Sequence, residues 1–209
     1  MTLFYWNNAS GDPMKTFALT ALAALAMTAG QTAHAGAIGT VATAGFHQER
    51  AYYYTRQGEQ HRETQLRFNS GLGIEALVGD KDEKIQGILR FLWMSDAQAT
   101  TPDTGDTILP EHPDYESLKN KNTGVLGLGV QWGLLGDPSD KQLVLTSIVG
   151  SGFITTDNTE YVMLEVGAGG TYNLSETLQA NANLALTVRN RKHLSFGPNM
   201  YAGIRYLFD

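Results

Sequence analysis

The 209-residue chain contains no cysteine. That excludes disulfides, thiol chemistry, Cys-ligated metal sites and a lipid anchor on a cysteine. Proline is scarce, with 6 residues against 23 glycines. Glycine at that level, with no collagen period, points to many turns or close backbone contacts. There is no basic surplus either: the formal net charge is −6, and a nucleic-acid partner, which needs a cationic face, is not expected. The apolar run at 17–27 has only eleven residues, whereas a helix needs about 20 to cross hydrocarbon.

That run has another meaning. Met14 and Lys15 make a short charged start, 17–27 (FALTALAALAM) an apolar segment, and 28–35 a small, polar stretch ending Ala33-His34-Ala35. This is the layout of a cleavable signal peptide over 14–35, with cutting expected before Gly36. Residues 1–13 fit no part of it, so Met14 is a candidate true start. The expected organisation is a leader over 1–35 and one domain over 36–209.

After Gly36 the recurring pattern is alternation with period two, the mark of a strand with unlike faces. In 178–189, Leu178, Ala180, Ala182, Leu184, Leu186 and Val188 oppose Gln179, Asn181, Asn183, Ala185, Thr187 and Arg189. In the last segment, Phe196, Pro198, Met200, Ala202, Ile204, Tyr206 and Phe208 oppose Gly197, Asn199, Tyr201, Gly203, Arg205 and Leu207. Segments 66–78, 124–134 and 162–174 alternate in the same way. Segments 37–47, 84–94 and 141–154 are weaker, and 141–154 is apolar on both faces, so its register is open. Eight strands result. Their connections at 79–83, 136–140 and 175–177 are tight and rich in turn residues. Those at 48–60, 95–123, 155–159 and 190–192 include two long loops.

Short turns at one end and longer loops at the other, with an even strand count, predict an all-β, eight-stranded antiparallel up-and-down transmembrane barrel. A soluble exported barrel with its apolar faces inward has the same period. Three features favour lipid outside. The polar faces carry Gly, Asn, Gln and Thr rather than Lys and Glu, which suits a narrow lumen. Aromatics gather near strand ends as two interface belts: Trp132, Tyr172, Tyr206 and Phe208 at the short-turn end, and Phe46, Tyr52, Tyr53, Tyr54, Trp93, Phe153 and Tyr161 at the other. The C-terminal Tyr201-x-Gly203-x-x-Tyr206-x-Phe208 resembles the signal read by the barrel assembly machinery, here followed by Asp209. Over 36–209 the chain resembles the small eight-stranded outer-membrane barrels, the group of the OmpA membrane domain and OmpX. The resemblance implies an outer-membrane location, with lipid and lipopolysaccharide around the wall.

Candidate functional residues fall in three places. Glu75, Arg90, Glu165 and Arg205 lie on predicted lumen faces, as a static ionic plug that fixes register or, alternatively, as a gated ion path. An unpaired buried charge is costly, so two acids and two bases should pair. Loop 95–123 carries Asp96, Asp103, Asp106, Glu111, Asp114 and Glu116. It is expected to be a solvated acidic loop and the place for a protein partner, with no metal spacing in it. His112, between two prolines, reads as a loop residue. Finally, His193-Leu194-Ser195 resembles the His-x-Ser pair that lipid A deacylases carry on their lipid-facing wall. Here no acid follows before Asp209, and Phe196 stands where that family usually has Asn. The expectation is therefore a non-enzymatic barrel without metal or cofactor, acting as a structural element or surface binder. The alternatives are a lipid A-modifying hydrolase using His193 and Ser195, or a narrow pore.

Overall fold

The computed structural model describes residues 35–80, 82–95, 99, 101, 106–119, 122–155, 158–190 and 194–208. Residues 1–34, and with them nearly all of the leader, lie outside the described residues. Among the described residues nine strands occur: β1 (Ala35–Tyr54), β2 (Gln60–Val78), β3 (Ile85–Met94), the two-residue β4 (Thr107–Ile108), β5 (Thr123–Gly136), β6 (Lys141–Thr155), β7 (Asn158–Asn173), β8 (Leu178–Asn190) and β9 (Leu194–Leu207). One helical turn, α1 (Tyr115–Leu118), precedes β5. All strands but β4 pair antiparallel with their neighbours, and β9 pairs with β1, which closes an eight-stranded barrel.

The barrel's stagger can be read from its pairing. Outward-facing residues in register run Ile38, Ala76, Leu89, Leu128, Val149, Leu164, Val188 and Phe196. The path returns to β1 at Gln48, ten residues beyond its start. With strands ~4.8 Å apart and ~3.3 Å of rise per residue, that stagger gives a tilt of about 40° and a backbone radius of about 8 Å. Such a lumen is filled by side chains.

Alternation decides what fills it. On β8, Ala185, Thr187 and Arg189 are buried while Ala182, Leu184 and Leu186 are exposed; on β9, Ser195, Asn199, Tyr201 and Arg205 are buried while Phe196, Met200 and Ile204 are exposed. The exposed row is the apolar one on every barrel strand: Leu72 is 69% exposed, Val149 58% and Met200 62%. The same rule settles β6, whose register the sequence left open. Gln142, Val144, Thr146 and Ile148 point inward, and Leu143, Leu145 and Val149 outward. Val144 and Ile148 on the inner face, with Ser147 and Ser151 on the outer, had blurred the pattern.

Gly79 (φ 128°) and Gly136 (φ 99°) open two of the three tight turns in the left-handed region, where a Cβ would be strained. These turns and both ends of the described barrel lie at one end, the periplasmic one for this architecture.

Three expectations need correction. The segment 48–60 is not a long loop: β1 and β2 stay paired to Tyr54↔Gln60, and only 55–59 turn. The connection over 155–159 shrinks, because β6 and β7 pair to Thr155↔Asn158. The inner face is also less polar than expected, since Ile88, Leu92, Met94, Val125, Ile148 and Met163 form an apolar cluster inside the barrel.

Candidate functional site: a filled lumen and a folded outer surface

The four charged residues meet. Glu75 (β2) and Arg90 (β3) are in register on adjacent strands, and Arg90 Nε donates to Glu75 Oε2 at 2.6 Å. Arg90 Nη1 also donates to Glu165 Oε1 on β7 at 2.8 Å, across the lumen. Arg205 Nε on β9 donates to Glu75 Oε1 at 3.0 Å, and its Nη2 to the same oxygen. All four side chains are nearly fully buried. Two carboxylates and two guanidiniums leave no net charge at this level, which offsets the cost of removing them from water.

Polar neighbours extend the network in both directions. The Tyr201 hydroxyl donates to Glu165, and the Arg90 guanidinium lies 4.2 Å from the centre of its ring. Thr187 donates to the same Glu165 oxygen as Tyr201, Oε2, at 3.2 Å and accepts from Asn199 at 2.7 Å. Towards the turns, Arg205 Nη1 donates to Gln131 and Gln179 at 3.3 Å each. Gln131 then donates to Gln86, and Gln86 to the Asp80 carbonyl. Gln179 donates to Asn173, and Asn173 to the Pro138 carbonyl. Amide chains thus tie the central charges to two of the tight turns. Tyr201 and the glutamines were visible in sequence only as inner-face residues; strand alternation marks the face but not the partner.

At the outer mouth, His47, only 2% exposed, lies 2.7 Å through Nε2 from Glu49. Its Nδ1 receives Asn69 Nδ2 at 3.0 Å and Arg189 Nη1 at 3.5 Å. Two donors aimed at Nδ1 make it the acceptor, so Nε2 carries the proton given to Glu49. Arg189 also lies 4.7 Å from the Tyr161 ring centre.

This arrangement bears on the His-x-Ser pair. His193 lies outside the described residues. Ser195 is buried on the lumen face, between Leu194 and Phe196, which both point outward. A serine there is not on the lipid-facing wall. His47, buried at the same barrel end, has both ring nitrogens engaged and offers no base to the Ser195 hydroxyl.

The aromatic expectations divide. Trp93, Trp132, Tyr172, Tyr206 and Phe208 are all exposed on the outer wall, and Tyr206 and Phe208 meet edge to face at 5.2 Å. Phe46 and Phe68 meet likewise at 5.4 Å near the opposite rim. Tyr161 and Tyr52, by contrast, are no part of a lipid-facing belt. The first points into the lumen, and the second is buried under loop 95–123.

That loop is not simply solvated. Asp106 is fully buried and 2.7 Å from Arg62 of β2. Thr107 donates to Glu49 at 2.9 Å, and β4 pairs in parallel with Ala51 and Tyr52 at the edge of β1. Ile108 and Ala99 pack on Tyr52. His112 stands edge-on to Tyr52 and Tyr54 at 5.2 and 4.8 Å. Glu111, Asp114 and Glu116 remain exposed, while Asp96 and Asp103 lie outside the described residues. Among the described residues, no group of three metal-ligating side chains forms.

At the opposite end, the Asp137 carboxylate accepts from the Ser139 hydroxyl at 2.7 Å and its backbone N–H at 2.9 Å. These bonds hold its pKa below the ordinary carboxylate value.

A closed barrel, apolar outside and charge-balanced inside, is an eight-stranded transmembrane β-barrel of the outer-membrane kind. The solved structure of Neisserial surface protein A is similar over 85% of this chain and 100% of that one, with a TM-score of 0.53 and 11% identity. Ail, the attachment invasion locus protein of Yersinia pestis, aligns over 84% of this chain and 100% of its own at 12% identity, with a TM-score of 0.39. The monoaromatic hydrocarbon channel CymD aligns over 81% of this chain and 44% of its own, at 12% identity and 0.31. No protein-family model and no curated protein sequence matches the chain. At such identities the likeness to the first establishes the fold and nothing about activity.

Proposed function

We propose that this outer-membrane barrel is non-enzymatic and works as an anchor that presents a binding surface outside the cell. The observation that carries this reading is the contrast between its two parts. The lumen is crossed by buried ion pairs, Arg90 with Glu75 and Glu165 and Arg205 with Glu75. The outer end, by contrast, carries a long β1–β2 hairpin against which β4, α1 and His112 are packed. A filled lumen of about 8 Å backbone radius leaves little bore for ions, so the work falls to the surface.

The partners follow from position. Outer-membrane lipid and lipopolysaccharide contact the wall, the barrel assembly machinery reads the strand ending at Phe208, and a protein partner meets loop 95–123 with the hairpin beside it. Residues 14–35 serve as the export signal. A lipid A hydrolase is disfavoured by the inward Ser195, and a Ser195→Ala variant should leave lipid A unchanged in mass.

The test is cross-linking on intact cells, comparing the wild type with a variant whose residues 95–122 are replaced by a short turn. A cross-linked product lost in the variant while the barrel still folds supports the reading. An identical product pattern, or discrete conductance steps from purified barrel in planar bilayers, contradicts it.

A further inference from the structure

The projecting hairpin has two edges, and the chain treats them differently. Beyond the rim β1 loses β9: the last pair between them is Gln48↔Phe196. The chain covers this edge itself. β4 pairs with Ala51 and Tyr52, and the Leu109 N–H reaches the Tyr52 carbonyl at 3.3 Å. On the other side β2 loses β3, since their pairing ends at Gly71↔Met94 and the last bond is Ser95 N–H to the Ser70 carbonyl, 2.8 Å. From Gln60 to Phe68, no backbone partner occurs on this side among the described residues.

The direction of the backbone groups follows from that last bond. Along a strand, N–H and C=O of alternate residues point to opposite edges. Ser70 points towards β3, so Arg62, Thr64 and Leu66 point to the uncovered edge. Glu59 confirms the alternation, because its carbonyl accepts from Thr55 on β1 at 2.8 Å. Tyr52 and Arg62 are cross-strand partners: one turns its backbone to β4, the other to an edge with no partner among the described residues.

We propose that the β2 edge around Arg62, Thr64 and Leu66 is a strand-addition site for an extended segment of another polypeptide. The inference rests on the surface-binding reading above and names its mode. A row of unpaired N–H and C=O groups is a template for such pairing. A second copy in the same membrane is not the occupant. Two barrels inserted in the same direction are related by an axis along the membrane normal, so strands tilted by about 40° would cross at roughly 80° instead of pairing.

The flanking side chains define the occupant's chemistry. Leu66 and Phe68 are 70% and 58% exposed on one face. On the other face is Glu63, exposed and bonded to Gln65 with no cation paired to it among the described residues. Arg62 is already tied to Asp106, and His61 stacks on Tyr53. The fitting segment alternates, with apolar side chains beside Leu66 and Phe68 and Lys or Arg beside Glu63.

The test uses the full barrel in lipid nanodiscs and a synthetic peptide of alternating lysine and valine. Amide exchange is read with and without peptide. The expected result is slowed exchange at Arg62, Thr64 and Leu66. A Thr64→Pro variant removes the one edge-facing N–H at the centre and spares the hairpin ladder, as proline permits on an edge. It should weaken peptide binding at least about tenfold, with exchange at Glu63 and Gln65 unchanged. Glu63→Lys should weaken binding of the lysine peptide and leave a glutamate–valine peptide unharmed. Equal affinity for Thr64→Pro, with the ladder intact, overturns the proposal. So does protection appearing elsewhere. If a cross-linked partner is lost when residues 95–122 are replaced but retained in Thr64→Pro, the surface reading stands and the edge fails.

Discussion

Arg205 on the last strand reaches Glu75 on the second over the bare backbone of Gly39 on the first, with Nε 3.0 Å from the carboxylate. Gly39 is in register with both. A Cβ there would run into the Ile204 carbonyl and the Arg205 backbone. The glycine therefore has a defined job, which is to let the closing strand bond to the strand beyond its neighbour. This ion pair spans the seam where β9 meets β1.

Removing Glu75 leaves Arg90 and Arg205 short of a counter-charge inside the barrel. Glu75→Ala should cost about 3–5 kcal/mol, the range for breaking a buried pair from one side. Urea unfolding of barrel folded into vesicles measures it. Removing Glu75 and Arg205 together should cost less than the sum of the single changes. Additive costs would mean that the two do not work as a pair.

A charge placed on the outer wall should behave differently from one inside. Leu184 is 59% exposed on the outer face of β8. Leu184→Arg should lose about 2–4 kcal/mol if it lies near the bilayer midplane. The same vesicle titration reads this out, and a change within ~0.5 kcal/mol, typical of a water-facing surface site, would contradict the lipid assignment.

The loop is held by its buried acid. Asp106→Ala takes the Arg62 partner away and should raise amide exchange at Thr107 and Ile108 while the barrel strands keep their protection. Unchanged exchange at β4 would show that Tyr52, Ile108 and Ala99 suffice without the ion pair.

The turn between β5 and β6 should respond to acid. Asp137 has its pKa lowered in the folded state by the Ser139 hydroxyl and N–H. Its contribution is present above the ordinary carboxylate value of about 3.9 and is lost as pH falls through the lower folded value. Amide exchange at Ser139 should therefore rise as pH falls below that range, once the intrinsic pH dependence of exchange is divided out. In Ser139→Ala the acid response should shrink, since the hydroxyl bond that lowers the pKa is gone; a response of full size would reject this origin.

The barrel was legible because each strand records its two environments at period two: Leu184 and Asn183 are neighbours with opposite fates. The charged quartet was legible for the same reason, as charges are rare on inner faces and must find one another. Three things were not. The apolar inner cluster of Leu92, Val125, Ile148 and Met163 carries no sign in sequence, because period two separates faces without naming which apolar residue turns inward. The hairpin beyond the rim read as loop because Tyr52, Tyr53 and Tyr54 are apolar on both faces and Gln57 to Arg62 polar on both. Loop 95–123 read as solvated because a contact such as Arg62 with Asp106, 44 residues apart, leaves no local pattern.

The most direct test is of sidedness, and the absence of cysteine makes it clean. Single cysteines at Leu184, Leu186 and Met200, and at Asn183, Thr187 and Asn199, are spin-labelled in barrel reconstituted into vesicles. Collisions with oxygen, which concentrates in lipid, are then measured. High oxygen accessibility at the first three and low accessibility at the second three is the predicted result. The reverse pattern, or no alternation along β8 and β9, would contradict a barrel that meets lipid with its leucine rows and fills its centre with the rest.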